Sequence, residues 1–593
     1  MKCGFEWHFQ LNTRKLFCED ISEISEEVVG KIRRKFNLSI SEFDEIDESA
    51  KFEIKKSREV IYEICKNDCL VDVDEEPPHE INKEALQLAL NIATALNCKT
   101  FDKIIVMRKN IVDGSVPSGF QRTILIGIDG YYNFKDKKIP ISTVCLEEDA
   151  GRKVGEEDGK PIYRLDRLGI PLVEVSTKPI ETTPEEAKEL ATSFGLFTRL
   201  FNVRRGIGTI RQDVNLSTEK SNRVEIKGFQ NLRKMDKIIN EEINRHENLI
   251  KLAQEKGDLI KYLNNEIYDI TNLFTETQSK IVSEGIKKGK RVYAMKLPNF
   301  SGVLGFKVQT NKRFGGEIGD YLKALYNVSI IHSDELPSYG ITENDKQKIK
   351  EFLKCEDKDA FLFFITDSKE KEIANAIIER INTLLKEVPS EVRFVDENSE
   401  TTKFLRPIGG KERMYIETDL PIIEIPKEMK ETAEKYRNLS VESIAKKLDT
   451  TLEKLEVIVE EGKLGMALDL HEKGINTDDF IRVFIEGYNF VKNKFGKEID
   501  KNDLIKLAYL LKDRKIAKEA VRVILEKMIE EGKSIEEIIK EHNLWKIEED
   551  KLKEIVEKMK NLSLDRIIMT IRGKYGPVVD AEDIARILKN LNE

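Results

Sequence analysis

Gly4-Phe5-Glu6-Trp7-His8-Phe9-Gln10-Leu11 alternates strictly between apolar and polar residues. A strand has a side-chain period of two. The stretch is therefore predicted to put Phe5, Trp7, Phe9 and Leu11 on one face and Glu6, His8 and Gln10 on the other. A carboxylate, an imidazole and an amide do not face a dry core without a cation or a hydrogen-bonding partner. The pattern returns in Thr209-Ile210-Arg211-Gln212-Asp213-Val214-Asn215-Leu216, where Arg211, Asp213 and Asn215 share a face, and again in Arg223-Val224-Glu225-Ile226-Lys227 and Leu172-Val173-Glu174-Val175. A further segment, Cys145-Leu146-Glu147-Glu148-Asp149-Ala150-Gly151-Arg152, leaves an apolar run and ends in three acids. Strands with one apolar and one charged face predict a sheet with a polar floor. Such a floor suits a divalent cation and phosphate chemistry.

The chain has 593 residues, too many for one core, and roughly three to five domains are expected. Charged residues make up 35% and apolar residues 40%, a soluble, globular balance. The net charge of −9 gives no bulk electrostatic case for nucleic acid, so any RNA contact must use local basic patches. Seven scattered cysteines, an odd number, fit a reducing cytosol rather than a disulfide framework. No signal pattern and no long apolar run is present, and the expectation is a cytoplasmic protein without a membrane segment.

Residues 1–250 mix short strands and helices. Thr183-Pro184-Glu185-Glu186 reads as a helix start, with a cap, a proline suited to the first turn and acids suited to the dipole. Residues 230–262 read as a long polar helix. Between about 263 and 400 the style changes: strands are predicted at Tyr293–Leu297, Val328–His332 and Phe361–Ile365, with helices near 344–354 and 368–386. Strand-like sequence of the first style resumes at Lys403–Ile425, so the middle unit is predicted to be an insertion. After Pro426 the spacing is helical throughout, with a boundary near Gly496 and Lys497. The fold class expected is multidomain α+β. A mixed-sheet cradle (1–262 plus 403–425) would carry an inserted α+β unit (263–402), followed by a helical domain (426–499) and a helical tail (500–593).

His8, Glu147 and Glu174 are ligand types that Mg²⁺ or Mn²⁺ accepts. The loop Asp113-Gly114-Ser115-Val116-Pro117-Ser118-Gly119-Phe120-Gln121-Arg122 follows Arg108-Lys109-Asn110. Gly114 and Gly119 have P-loop spacing, but Phe120-Gln121 stands where Lys-Ser/Thr is required, so this is not a Walker A loop. It could still offer backbone N–H groups to an anion, with Arg108, Lys109 and Arg122 adding charge. Cys65-x₃-Cys69 could give two zinc ligands and Cys18 a third, but the fourth is missing and no second pair has ligand spacing, so a structural zinc is not expected. No Ser/His/Asp or Cys/His arrangement stands out, and nothing resembles an amidase nucleophile.

Gly4–Leu11, Arg108–Gln121, Leu146–Arg152, Pro171–Val175, Arg211–Asn215 and Val224–Leu232 together resemble the B/E subunits of tRNA-dependent amidotransferases. The loop Asp-Gly-Ser-x-x-Ser-Gly-Phe-Gln-Arg at Asp113–Arg122 is closer to the archaeal E branch. Phe314-Gly315-Gly316-Glu317-Ile318-Gly319-Asp320-Tyr321 and His332–Ile341 are similar to that branch's insertion, itself related to one in bacterial aspartyl-tRNA synthetases. Arg413-Met414-Tyr415-Ile416-Glu417-Thr418-Asp419-Leu420-Pro421 resembles the family's return to the first domain, and Ile567–Lys589 resembles its YqeY-like tail.

The resemblance implies ATP-dependent conversion of Glu-tRNA(Gln) to Gln-tRNA(Gln), with His8, Glu147 and Glu174 as metal ligands. Glu6, Gln10, Glu148, Asp213 and Glu225 would be supporting or additional metal groups. Arg108, Lys109, Ser118 and Arg122 would contact ATP or the activated glutamate. The cofactors implied are ATP and Mg²⁺, with Mn²⁺ as a substitute. The partners implied are glutamate-charged tRNA(Gln) and an asparaginase-like D subunit that supplies ammonia, in a dimer of heterodimers. Two rival readings are an enzyme related to aspartyl-tRNA synthetase, whose paired-arginine ATP motifs are not found in order, and a non-catalytic tRNA-binding scaffold.

Overall fold

The computed structural model describes residues 1–35, 51, 52, 59–111, 113–410 and 414–592. Arg413 of the return motif lies outside the described residues. The chain divides into two compact units, Met1–Asn438 and Leu439–Glu593.

The first unit is built on a twelve-stranded sheet. Its main strands are β1 (Lys2–Gln10), β2 (Val106–Asn110), β3 (Phe120–Phe134), β4 (Lys137–Glu148), β5 (Pro171–Thr177), β6 (Ile210–Ser217), β7 (Val224–Lys227), β8 (Glu391–Asp396), β9 (Thr401–Pro407) and β10 (Met414–Ile416). They lie in the order β9-β8-β7-β6-β1-β5-β4-β3-β2-β10. Among the described residues only the β7–β8 pairing of this sheet is parallel, which makes the sheet mixed.

β1 is central, and its alternation is realised: Phe5, Trp7 and Phe9 are fully buried. They face α2 (Pro184–Thr198), which follows α1 (Lys83–Ala95) in the chain. The Trp7 ring stacks on Phe194 with centroids 3.8 Å apart. Each such aromatic contributes about 1.5–3 kcal/mol by leaving water. α2 starts where its sequence says. The Thr183 hydroxyl accepts from the Glu186 N–H at 3.2 Å, and Pro184 occupies the first turn.

A four-stranded sheet of Val28–Lys35, Glu59–Cys65, Lys160–Arg164 and Arg152–Glu157 braces the loop before β3. The Tyr62 hydroxyl donates to the Gly114 carbonyl at 2.8 Å, and the Tyr163 hydroxyl to that of Asp113 at 3.1 Å.

The polar helix expected at 230–262 is α3 (Met235–Lys256), closed by a 3₁₀ segment from Gly257 to Tyr262. The insertion then forms its own four-stranded sheet from Tyr268–Asp269, Arg291–Leu297, Ile330–His332 and Ala360–Thr366. Two of its helices are α4 (Phe314–Tyr326) and α5 (Glu370–Leu384).

The chain returns to the large sheet at Glu391, earlier than the Lys403 expected, because β8 pairs with β7 before β9 turns back along β8. A fully buried charge network joins the insertion to the sheet. The Arg393 guanidinium meets Glu317 on α4 at 2.7 Å and Glu391 at 2.5 Å. Arg245 on α3 reaches Glu317 at 3.0 Å and Glu391 at 2.8 Å, and Arg380 on α5 reaches Glu391 at 2.6 Å. Burial alone would raise these carboxyls. The guanidiniums overrule it: Arg245 and Arg393 hold Glu317 well below its ordinary range, and Arg380 and Arg245 hold Glu391 below it.

The helix Lys427–Glu434, expected to open the helical region as a separate body, belongs to the first compact unit. It docks on α1, where the Gln87 amide donates to the Met429 carbonyl at 3.0 Å. The second unit is helical from Val441 to Asn592. The boundary expected near Gly496 does not divide it. Gly496 caps the helix Tyr488–Phe495 in the left-handed conformation (φ 64°), and that helix packs on Ala520–Glu531 beyond the glycine, with the Arg522 guanidinium 3.6 Å from the Phe490 ring centre.

Candidate active site

The polar face of the large sheet is continuous across its strands. Register pairs His8 with Glu174 on one side and Arg211 on the other, Glu6 with Asp213, Asn215 with Glu225, Thr123 with Glu147, and Lys109 with Gln121. Directly paired residues share a face, so the side chains of all these pairs line one floor.

Two carboxylate groups form on it. In the first, ligand atoms of His8, Glu147 and Glu174 lie within 4.8 Å of one another. His8 Nε2 is 3.1 Å from Glu174 Oε2. The Lys109 ammonium donates to Glu174 Oε2 at 2.8 Å and Glu147 Oε2 at 3.1 Å, and the Thr123 hydroxyl donates to the same Glu147 oxygen at 3.2 Å. Burial alone would lower the His8 imidazole. Its bond to Glu174 and the charges of Glu174, Asp213 and Glu147 outweigh burial and hold it above its ordinary value. Burial would raise Glu174, but Lys109 and His8 hold it well below the usual carboxylate range.

The second group, Glu6, Asp213 and Glu225, also lies within 4.8 Å. Lys227 contacts Asp213 and Glu225 at 2.5 Å each, and the Asn215 amide donates to Glu6 at 2.9 Å. Glu6 and Asp213 are direct cross-strand neighbours, an unfavourable like-charge pairing. Burial, then Glu225 and Glu174, push the Glu6 carboxyl up. Gln10 joins the floor through Asp149, to which it donates at 2.7 Å. Arg211 grips the other Asp149 oxygen at 2.8 Å. Burial would raise Asp149, but Arg211 and Arg167 hold it below its ordinary value.

Four other predicted residues lie in a separate knot. Arg108 and Lys109 are consecutive in a strand and so face opposite ways, as do Glu147 and Glu148. Arg108 contacts Glu417 at 2.5 Å and Asp419 at 3.2 Å, and it lies over the Phe120 ring at 4.5 Å. Arg122 is held by Glu417 at 3.1 Å and by Glu148 at 3.4 Å. The Ser118 hydroxyl donates to the Phe120 carbonyl at 3.1 Å. Arg108, Arg122, Ser118 and Glu148 are thus not brought to the His8–Glu147–Glu174 group, whereas Lys109 is. Asp149 and Lys227 are floor residues that sequence reading did not single out. For Lys227 the signal was its spacing of two from Glu225.

The zinc candidates separate. Cys18 and Cys69 gather with Asp20, while the Cys65 thiol turns to the Ser25 carbonyl at 3.5 Å.

A mixed sheet whose one face carries two carboxylate groups, a histidine and facing lysines is the frame of a catalytic domain of known type. The model of the GatB/GatE catalytic domain matches residues 1–431 and that of the GatB domain matches 469–567; the chain belongs to this family. It is 37% identical over 634 residues to the E-type chain of the glutamyl-tRNA(Gln) amidotransferase of Sulfurisphaera tokodaii, covering 99% of this chain and 98% of that one. It is also 37% identical over 615 residues to the E-type chain of the same amidotransferase in Pyrobaculum aerophilum (100% and 98%). With the E-type chain of Pyrococcus furiosus the identity is 38% over 595 residues (98% and 94%).

Proposed function

We propose that this chain converts Glu-tRNA(Gln) to Gln-tRNA(Gln), using ATP to phosphorylate the tRNA-bound glutamate and ammonia to displace the phosphate. The observation that carries the reading is the meeting of His8, Glu147 and Glu174 on the floor. The full-length likeness to amidotransferase chains favours it over a synthetase-related enzyme or a passive scaffold.

A carboxylate is a poor electrophile because its charge repels a nucleophile and oxide is a poor leaving group. Moving the γ-phosphoryl onto one oxygen corrects both faults. Such a transfer needs charge stabilisation and alignment more than a protein nucleophile. Two carboxylates and an imidazole are a donor set that fits Mg²⁺ or Mn²⁺, and the acids of the floor outnumber its cations, so the residues fit the ion. His8, Glu147 and Glu174 would hold it; when bound, it supplies positive charge to the phosphoryl oxygens. Glu6, Asp213 and Glu225 hold the adjacent part of the floor for a second cation or for the incoming ammonia, whose surplus proton their carboxylates can accept as the amide forms. Gln10 fixes Asp149, and through it Arg211.

Residues 1–262 and the return strands make the cradle for this chemistry, and the unit inserted between them is aspartyl-tRNA-synthetase-like. An asparaginase-like partner supplies ammonia in a dimer of heterodimers. No helix among the described residues is long and apolar enough to cross a membrane, and the compartment proposed is the cytoplasm.

The test uses Glu-tRNA(Gln), ATP and Mg²⁺ with ammonium chloride. Glu174→Ala should abolish γ-phosphoryl transfer while tRNA binding stays within about twofold. Near-wild-type transfer would reject the assignment. With the partner absent, glutamine should yield no product; equal product from glutamine would reveal an amide-hydrolysing site in this chain.

A further inference from the structure

Lys109 is unusual among the floor cations. It reaches from β2 across β3 to the ends of two carboxylates on β4 and β5, and its ammonium contacts two of the three candidate ion ligands. Glu174 Oε2 is shared, contacted by Lys109 at 2.8 Å and by His8 at 3.1 Å. A divalent cation taken up by His8, Glu147 and Glu174 would stand about 2.0–2.2 Å from those donor atoms. An ammonium bridging the same two oxygens would lie within about 4 Å of it, positive against positive, so the two compete for these oxygens.

The backbone at Lys109 has no freedom to retreat, because Lys109 pairs with Gln121 on one side and Met414 on the other. Only the four-carbon stem can move, and a lysine stem is flexible. Its side chain keeps 18% of its surface exposed, so a path toward solvent above the floor is open. Arg108, the neighbouring cation, cannot substitute, since it faces the other way and is held by Glu417 and Asp419.

We propose that Lys109 is an exchangeable counter-ion: its ammonium holds Glu147 and Glu174 together until a divalent cation displaces it, and the displaced ammonium then serves as a positioning charge for the phosphoryl donor. This rests on the metal reading above and adds a residue to it. Without the cation Lys109 offsets part of the charge of Glu147 and Glu174, and loading the cation releases a positive charge beside the loop that leads into β3.

Mn²⁺ binding to the full chain, followed by electron paramagnetic resonance without ATP, tests the exchange. Lys109→Met removes the competitor and keeps the stem, so Mn²⁺ should bind about tenfold tighter. Phosphoryl transfer at saturating Mn²⁺ should nevertheless fall about 100-fold. Linkage is reciprocal, so in the wild-type protein Mn²⁺ should expose Lys109 to acetylation by acetic anhydride, with the Lys109 peptide labelling about fivefold faster by mass spectrometry. That second measurement needs no variant and stands even if Lys109→Met folds poorly. Unchanged or weaker Mn²⁺ binding in a folded Lys109→Met, or Mn²⁺ that leaves the labelling rate unchanged or lowers it, overturns the exchange. Wild-type protein that binds no Mn²⁺ overturns the metal reading itself, and the exchange with it.

Discussion

The first compact unit holds two concentrations of charge, and they are balanced differently. Where the insertion meets the sheet, Glu242, Glu317 and Glu391 face Arg245, Arg380 and Arg393, each side chain at most 4% exposed. On the floor, the carboxylates of Glu6, Glu147, Asp149, Glu174, Asp213 and Glu225 face Lys109, Lys227 and Arg211 as directly bonded cations, and His8, Glu174 and Lys109 stay 14–18% exposed. Matched and dry, charge acts as architecture. Unmatched and reachable by water, it suits the cation and phosphate proposed for it. Burial of ions is costly in both places, but only the network recovers that cost within its own side chains.

The sharpest way to break this comparison is to remove one charge from each. Arg393→Met leaves Glu317 and Glu391 short of a partner in a dry interior, and should cost about 3–5 kcal/mol in denaturant unfolding. Glu6→Gln removes a floor charge and should cost nothing. Equal losses would mean that the two regions do not differ in kind.

The next effect is in pH. Glu317 and Glu391 are held below their ordinary value of 4.5, so their stabilisation is complete above pH 4.5 and is lost as pH falls through the depressed values. The difference between wild type and Arg393→Met should therefore shrink as unfolding is measured at successively lower pH below 4.5. A constant difference down to acid pH would contradict the ion-pair account.

The smallest effect has the opposite sign. The Glu6 carboxyl is raised above 4.5, so the folded state prefers it protonated; that preference helps stability at low pH and is lost as pH rises through the raised value. Glu6→Gln, which resembles the protonated form and keeps an acceptor for Asn215, should match wild type below pH 4.5 and exceed it at neutral pH by about 0.5–1 kcal/mol. Thermal midpoints of the two proteins across that range decide it.

The floor was legible because a strand that carries polar or charged residues at every second position announces a polar face: Glu6 with His8, Asp213 with Asn215, and Glu225 with Lys227 each show it. The same rule, applied to Arg108-Lys109 and Glu147-Glu148, puts the members of each pair on opposite faces and keeps Arg108 and Glu148 off the floor. Asp149 escaped because it lies one residue past the end of β4, where alternation no longer assigns a face. The buried network was not legible at all. Glu242 and Arg245 on α3, or Glu391-Val392-Arg393 on β8, have the spacing of solvent-facing charge, and only the packing of the insertion makes them internal. That also hid the start of the return: a strand with Glu and Arg on its inner face does not look like part of a core.

The parallel pairing of β7 with β8 has a consequence for how the molecule is made. β7 carries Glu225 and ends at Lys227, and its outer edge meets no partner until Glu391 has been synthesised. At the opposite edge, β2 with Lys109 waits for Met414. At ribosomal rates the first wait, roughly 160 residues, lasts on the order of 10 s or more. During that time the sheet has two bare, aggregation-prone rims. The strand that closes one of them is also tied to the insertion, where Glu317 and Arg380 meet Arg393 and Glu391. The insertion thus separates β7 in the chain from the strand that covers its edge. A chain stalled or cleaved within it carries most of the floor residues on a sheet that cannot seal itself.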